Sequence, residues 1–224
     1  MATSTRSPEV PIPGLRVTIA DGVLHVRSAR PLRALSSAAC GGAWLTTHDV
    51  LNVHVPKGYC SDHPEDDLRV AAERLGIRGA FAGLMTAAHV ERAGVAHRVS
   101  GPLAVACIAT VGVSNATAAG REPPWLGAQQ PGTINLVLLA DADLAPEAMV
   151  NLVITATEAK TLTLVERGLR TASGWLASGT STDAVVVACT GEGPRLRYAG
   201  PATLVGHLAA ECVREAMAAS LQPG

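Results

Sequence analysis

Gly132 to Lys160 reads GTINLVLLADADLAPEAMVNLVITATEAK, and SGTSTDAVVVA follows at Ser178 to Ala188. Thr133 stands at the mouth of an apolar strand, with a glycine before it and Asp141 and Asp143 at the far end. Strand interiors favour β-branched and bulky apolar residues, so this hydroxyl is a polar group carried to the end of a buried element. A threonine hydroxyl is a weak nucleophile at its ordinary pKa and needs a neighbouring base or its own freed amine. Glu158 and Lys160, in TATEAKT, are the neighbours on offer. Residues two apart point to different sides of a helix, so at most one of them faces the same site. Glu158 is the favoured general base or orienter, and the competing reading of both is a solvated helix face. Thr180, Ser181 and Asp183 are candidate partners for substrate or nucleophile, against a turn capped by the Asp183 carboxylate. Oxyanion donors are sought in the backbone amides of Gly41 and Gly42 and in the Ser114-Asn115 turn. Asp141 and Asp143 read as strand closure and a helix cap.

These residues need elements to hold them. Leu15 to Ser28 alternates like a hairpin around Asp21-Gly22, and Arg33 to Ser37 extends the sheet. Val50 to Val55 reads as a strand, and the acidic run Asp62 to Asp67 opens a helix that ends at Gly76. Ala80 to Leu84, Pro102 to Val113 and Asp183 to Cys189 are further strands. Leu144 to Arg167 is a long helix with Pro146 in its first turn, and His207 to Ser220 is a final helix. Gly120 to Gly132, rich in Pro and Gly, delivers the chain to Thr133 as a loop able to act as a lid. The economical reading is one mixed α/β domain over residues 1–224, with 1–13 as a flexible tail.

Composition excludes several classes. With 18 basic and 19 acidic side chains in 224 residues and no Lys/Arg run, the footprint of a nucleic-acid binder is missing. Five cysteines with no CxxC pair, and histidines without HxH or HExxH spacing, offer neither a disulfide framework nor a metal site. His54, on LNVHV, is a candidate substrate contact against a satisfied structural histidine. The first residues lack the apolar segment of a signal peptide, and no apolar run reaches bilayer length, so a cytoplasmic protein without a membrane partner is expected.

Taken together and in order, LSSAACGGAW, LNVHV, GLMTAA, TVGVSNA, GTINLVLLADADL, TATEAKT and SGTSTDAVVVA resemble the adenosylcobinamide amidohydrolase family, CbiZ, over most of residues 35 to 206. The resemblance implies hydrolysis of the amide between the corrin propionyl side chain and aminopropanol, giving adenosylcobyric acid for cobamide salvage and remodelling. It implies a cobalt-containing corrinoid as substrate, no required cofactor, and a possible homo-oligomer. Amide hydrolysis needs a nucleophile, a proton acceptor and oxyanion donors, which assigns catalytic roles to Thr133, Glu158, Lys160 and Asn115. It assigns substrate binding to Gly41, Gly42, Ser114, Thr180, Ser181, Asp183 and His54. A more distant similarity, to ornithine acetyltransferases and related D-aminopeptidases, implies an αββα sandwich with Thr133 between two sheets, freed as an N-terminus by self-cleavage. Two positions depart from the family pattern. Cys40 stands where relatives carry Asn before Gly-Gly, and Ala202 stands where many carry His in Gly-x-His-Thr. These departures keep two alternatives open: a non-catalytic corrinoid-binding protein, and an acyl-transfer or peptidase enzyme of the threonine-nucleophile superfamily.

Overall fold

A computed structural model describes residues 5–123 and 132–221. Asp21 and Gly22 both take positive φ, 50° and 75°, the tight turn that suits the twist of a hairpin. They join β1 (Leu15–Ala20) to the 14-residue β2 (Val23–Ser36), which pairs antiparallel with β3 (Ala43–His54) along its length apart from an irregularity between Arg27 and Leu32. Helix α1 (Pro64–Arg74) follows, with Glu65, Asp66 and Asp67 in its first turn, where the helix dipole favours acidic side chains. The chain returns through β4 (Phe81–Thr86), parallel to β3, and then through the antiparallel pair β5 (Gly94–Ser100) and β6 (Leu103–Val111). The two-residue β7 (Ala116–Thr117) precedes β8 (Ile134–Asp141), which β9 (Asp143–Leu144) and helix α2 (Pro146–Glu166) follow. The short β10 (Gly179–Thr180) leads to β11 (Ala184–Cys189), and β12 (Arg195–Leu196) precedes the final helix α3 (Leu204–Ser220).

Among the described residues, eight strands form one mixed sheet in the order β4-β3-β2-β11-β8-β6-β5, with β1 beside β2. This sheet curls until its ends face each other. Asn52 of β3 hydrogen-bonds Thr110 of β6, and Asn135 of β8 bonds the Met85 carbonyl of β4, although in each case intervening strands separate the two. The concave face closes over one apolar core that takes Val17, Leu24, Val50 and Leu84 from one half and Ile108, Val137, Leu139 and Val186 from the other. On the convex side α2 and α3 cover the β8 half, burying Leu136, Leu138, Leu152 and Val213. Helix α1 covers the opposite half with Leu68 and Ala72 over Leu51 and Phe81.

The result is a mixed α/β domain in four layers, as expected, but the two sheet layers come from one continuous sheet rather than two. Of residues 1–13, expected as a flexible tail, the described ones from 5 onward are tied to the sheet. Arg6 pairs with Ile19 at both backbone groups, its guanidinium donates to the Ala93 carbonyl at 2.8 Å, and Ile12 is buried in the concave core. The expectation of no bilayer-length run also needs correction: α2 is long and apolar enough to cross a membrane by length and composition. Half of its apolar window is buried inside the protein, as in a core helix. Asp143 does not cap α2, whose N-cap is Ala145 without a side-chain bond; it pairs instead with Arg33 on β2. Strand β5 escaped the sequence reading, because GVAHRVS has an exposed His97 and Val99 and a weak apolar alternation.

Candidate functional site

Side chains alternate along β8, so Leu136, Leu138 and Ala140 face the helices while Asn135, Val137 and Leu139 face the concave core. Thr133 shares the parity of Asn135 and sits at the end of that core, only 5% exposed. Its Oγ1 donates to the Thr182 carbonyl at 2.6 Å and stands 3.2 Å from Asn135 Oδ1. In return the Thr182 hydroxyl donates to the Gly132 carbonyl at 2.8 Å. The Thr180 to Asp183 turn therefore holds the Gly132-Thr133 peptide on both sides.

That turn is itself held by charge. Asp183 Oδ1 accepts from the backbone amides of Ile134 and Thr180, each at 3.1 Å, and from the Thr180 hydroxyl. Its Oδ2 pairs with the Lys160 ammonium, with side-chain exposures of 14% and 10%. Gly179 lies directly against this pair: a Cβ there would overlap Asp183 Oδ2 and stand 2.7 Å from Lys160 Nζ. Lys160 reaches inward because α2 buries a stripe at Thr155, Ala156, Ala159, Lys160 and Thr163, the spacing of one helix face. Glu158, the favoured base in the sequence reading, falls about 200° around the helix from Lys160 and is exposed. Of the two, the fold brings Lys160 to the site.

Asn115 and Ser114 also arrive, by packing on Gly132. A Cβ at Gly132 would overlap Asn115 Oδ1 and come within 2.7 Å of Ser114 Oγ, and Asn115 Nδ2 donates to Ser181 Oγ at 2.7 Å. Gly41 and Gly42 are not brought in. Gly41 has φ 68° and lies so close to the Phe81 carbonyl that a Cβ would clash with it, and it lines a separate cleft beside α1. Its role is steric, and Ser37 and Ala39 of the same loop reach the site instead. His54 is also set back. Its Nδ1 lies 3.0 Å from the Ala88 carbonyl, and its ring stacks on His89 at 4.8 Å.

Thr133, Asn135, Thr182 and Asp183 line a cleft of about 460 Å³. Tyr59 on its rim donates to Asp67 at 2.6 Å, and partial burial together with that bond raises its pKa, so the phenol keeps its proton at neutral pH. A neighbouring cleft of about 430 Å³, lined by Lys57, His89, Arg92 and Ser114, shares Ala87 and Gly132 with the first. Of the loop expected as a lid, Gly120 to Gly132, residues 124–131 lie outside the described residues. Among the described residues, no group of three or more His, Cys, Asp or Glu is placed to hold a metal ion.

Sequence reasoning passed over Thr182, Asn135, Asn52 and Thr110. A signal for them existed, because asparagine is depleted in strands and Asn52 and Asn135 interrupt inward-facing apolar positions. The cluster presents a buried hydroxyl between two oxygen acceptors, a hydroxyl on the preceding carbonyl, and an ammonium-carboxylate pair behind the turn.

Comparison with known proteins adds a family. The sequence profile of adenosylcobinamide amidohydrolase matches residues 10–223. A Halobacterium salinarum adenosylcobinamide amidohydrolase is 38% identical over 211 residues, covering 91% of this chain and 86% of that protein. A Methanosarcina mazei protein of the same name is 33% identical over 198 residues, covering 84% and 90%. Among solved structures, that of a Pyrococcus horikoshii protein superposes with a TM-score of 0.51 at 13% identity, covering 98% of this chain and 83% of that one, a likeness of fold alone.

Proposed function

Because the chain belongs to the adenosylcobinamide amidohydrolase family, we propose that it hydrolyses the amide joining the corrin propionyl side chain of adenosylcobinamide to aminopropanol, releasing adenosylcobyric acid for cobamide salvage. The observation that carries this reading is the family match across nearly the whole chain, with Thr133 set in a cleft at the end of the concave core. The corrinoid is substrate, and the hydrolysis requires no further cofactor. The five cysteines, all free, suit a reducing cytoplasm.

In this mechanism the Thr133 oxygen attacks the amide carbon, the C–N bond breaks, and aminopropanol leaves with the proton that the hydroxyl gave up. Water then hydrolyses the resulting ester and frees the carboxylate. The two groups that now hold the hydroxyl, a peptide carbonyl and an asparagine oxygen, are poor proton acceptors at neutral pH. Lys160 is engaged as an ammonium by Asp183. The reading therefore assigns proton removal to the Thr133 amine, freed by cleavage of the Gly132-Thr133 bond. The Thr182 hydroxyl on the Gly132 carbonyl supports this, since it stabilises the oxyanion formed when Thr133 attacks that carbonyl. In that step the peptide nitrogen takes the hydroxyl proton, the acyl group moves to oxygen, and water releases it.

Incubation with adenosylcobinamide and adenosylpseudocobalamin, followed by mass spectrometry, tests the reading. Adenosylcobyric acid is expected from the wild type and not from Thr133→Ala, and intact-mass analysis is expected to find fragments 1–132 and 133–224. Corrinoid binding without product would refute hydrolysis. An active, uncut chain would refute the amine as base.

A further inference from the structure

We infer that Asn135, oriented by Asn52, is a positioning residue for the Thr133 hydroxyl; this rests on the reading of Thr133 as nucleophile. Asn52, Thr110 and Asn135 are 2%, 1% and 1% exposed and come from three strands to meet where the concave apolar core ends. A core built for stability alone would continue the ladder of Val137 and Leu139 to this end, since buried polar groups are costly unless every one is satisfied.

The hydrogen bonds run in one direction. Asn135 Nδ2 donates both its hydrogens, to Asn52 Oδ1 at 2.9 Å and to the Met85 carbonyl at 2.8 Å. Asn52 Nδ2 in turn donates to Thr110 Oγ1 at 2.9 Å. Flipping the Asn135 amide would turn its oxygen toward two other acceptors, so the side chain has one orientation and Oδ1 faces Thr133. With Oδ1 at 3.2 Å and the Thr182 carbonyl at 2.6 Å, the hydroxyl proton is held on the acceptor side. The oxygen lone pairs are left for a carbonyl carbon in the cleft that Thr133 lines. The three polar side chains thus aim the nucleophile through bonds that cross from one half of the curled sheet to the other.

The test is kcat and KM for adenosylcobinamide across pH in wild type, Asn135→Asp, Asn52→Ala and Thr133→Ala, with folding checked by circular dichroism. In Asn135→Asp the new carboxyl faces two oxygen acceptors in a buried place, which favours its protonated form. Where it ionises it is repelled, and kcat is expected to fall about 10²-fold with KM little changed. Relative to wild type at the same pH, the loss should recede as pH falls and the acid regains its proton, a limb in the variant-to-wild-type ratio beyond the one the Thr133 amine gives both proteins. Asn52→Ala, which carries the test if the aspartate variant fails to fold, should lower kcat about tenfold without that limb. Wild-type kcat in Asn135→Asp or Asn52→Ala beside an inactive Thr133→Ala would overturn this inference alone, as would a loss in Asn135→Asp that does not vary with pH. Turnover by Thr133→Ala would overturn the nucleophile reading, and this one with it.

Discussion

Replacing Lys160 with methionine removes the ammonium from a pair that is about nine-tenths buried, and replacing Asp183 with asparagine removes the carboxylate while keeping its shape. Breaking a buried pair from one side costs about 3–5 kcal/mol, because the remaining charge stays desolvated. The two sides are not equivalent here. Without Lys160, Asp183 keeps the amides of Ile134 and Thr180 and the Thr180 hydroxyl, and such charge-assisted bonds offset part of the loss. Lys160→Met is therefore expected to cost about 2–3 kcal/mol, the low end for a charge left with other hydrogen bonds. In Asp183→Asn an amide N–H faces the ammonium, and the full range of about 3–5 kcal/mol is expected. At about 2–4 °C per kcal/mol for a chain of this size, Tm should fall by roughly 4–12 °C and 6–20 °C respectively. The double variant should cost less than the sum of the two, with a coupling of about 1–3 kcal/mol. Urea unfolding of all four proteins, with turnover measured alongside, makes the comparison. Single variants within about 0.5 kcal/mol of wild type, the range of an exposed pair, would refute the claim that this pair holds the Thr180 to Asp183 turn.

Gly179→Ala should also destabilise the protein, by about 1–3 kcal/mol, because its Cβ overlaps Asp183 Oδ2; Tm measurement checks this, and an unchanged Tm would count against the packing described. In the native protein the exposed Cys60 should react with a thiol reagent while Cys107, Cys189 and Cys212 do not, and all five should react after unfolding. Burial pushes the Cys107 thiol up and the Cys212 thiol to about 12 from 9.0. The folded state therefore holds these protons more tightly than the unfolded chain, so stability is full below about pH 9 and declines as pH rises toward 12, which urea titration across that range would register.

Local pattern carried most of the elements. The Asp21-Gly22 turn, the acidic start of α1 and the Pro146 start of α2 are properties of neighbouring residues, and they stand where the sequence places them. The apolar run after Thr133 likewise marked a buried strand with a polar mouth, because alternation and burial of a strand are written in its own residues. The same local view favoured Glu158 over Lys160, and wrongly as to which one faces the site, since helical periodicity separates their directions without saying which side meets the sheet. Only the packing of α2 on β11 and its neighbours turned Lys160 inward and left Glu158 in solvent.

Nor could sequence spacing show that Asn52, Thr110 and Asn135 form one cluster. Their meeting depends on the long-range curl of the sheet, which brings β3 over β6 and β8. Gly41 and Gly42 went the other way: a glycine pair reads equally as an oxyanion loop or as a close approach, and the Phe81 carbonyl against Gly41 decides for the second. By itself the sequence determined most of the longer strands and the helices, the family, and the hydroxyl at the mouth of β8, because each is encoded in residues close along the chain. The tertiary structure decided which groups surround that hydroxyl and how it is aimed, because hydrogen bonds between residues 49 to 83 positions apart exist only once the sheet has closed on itself.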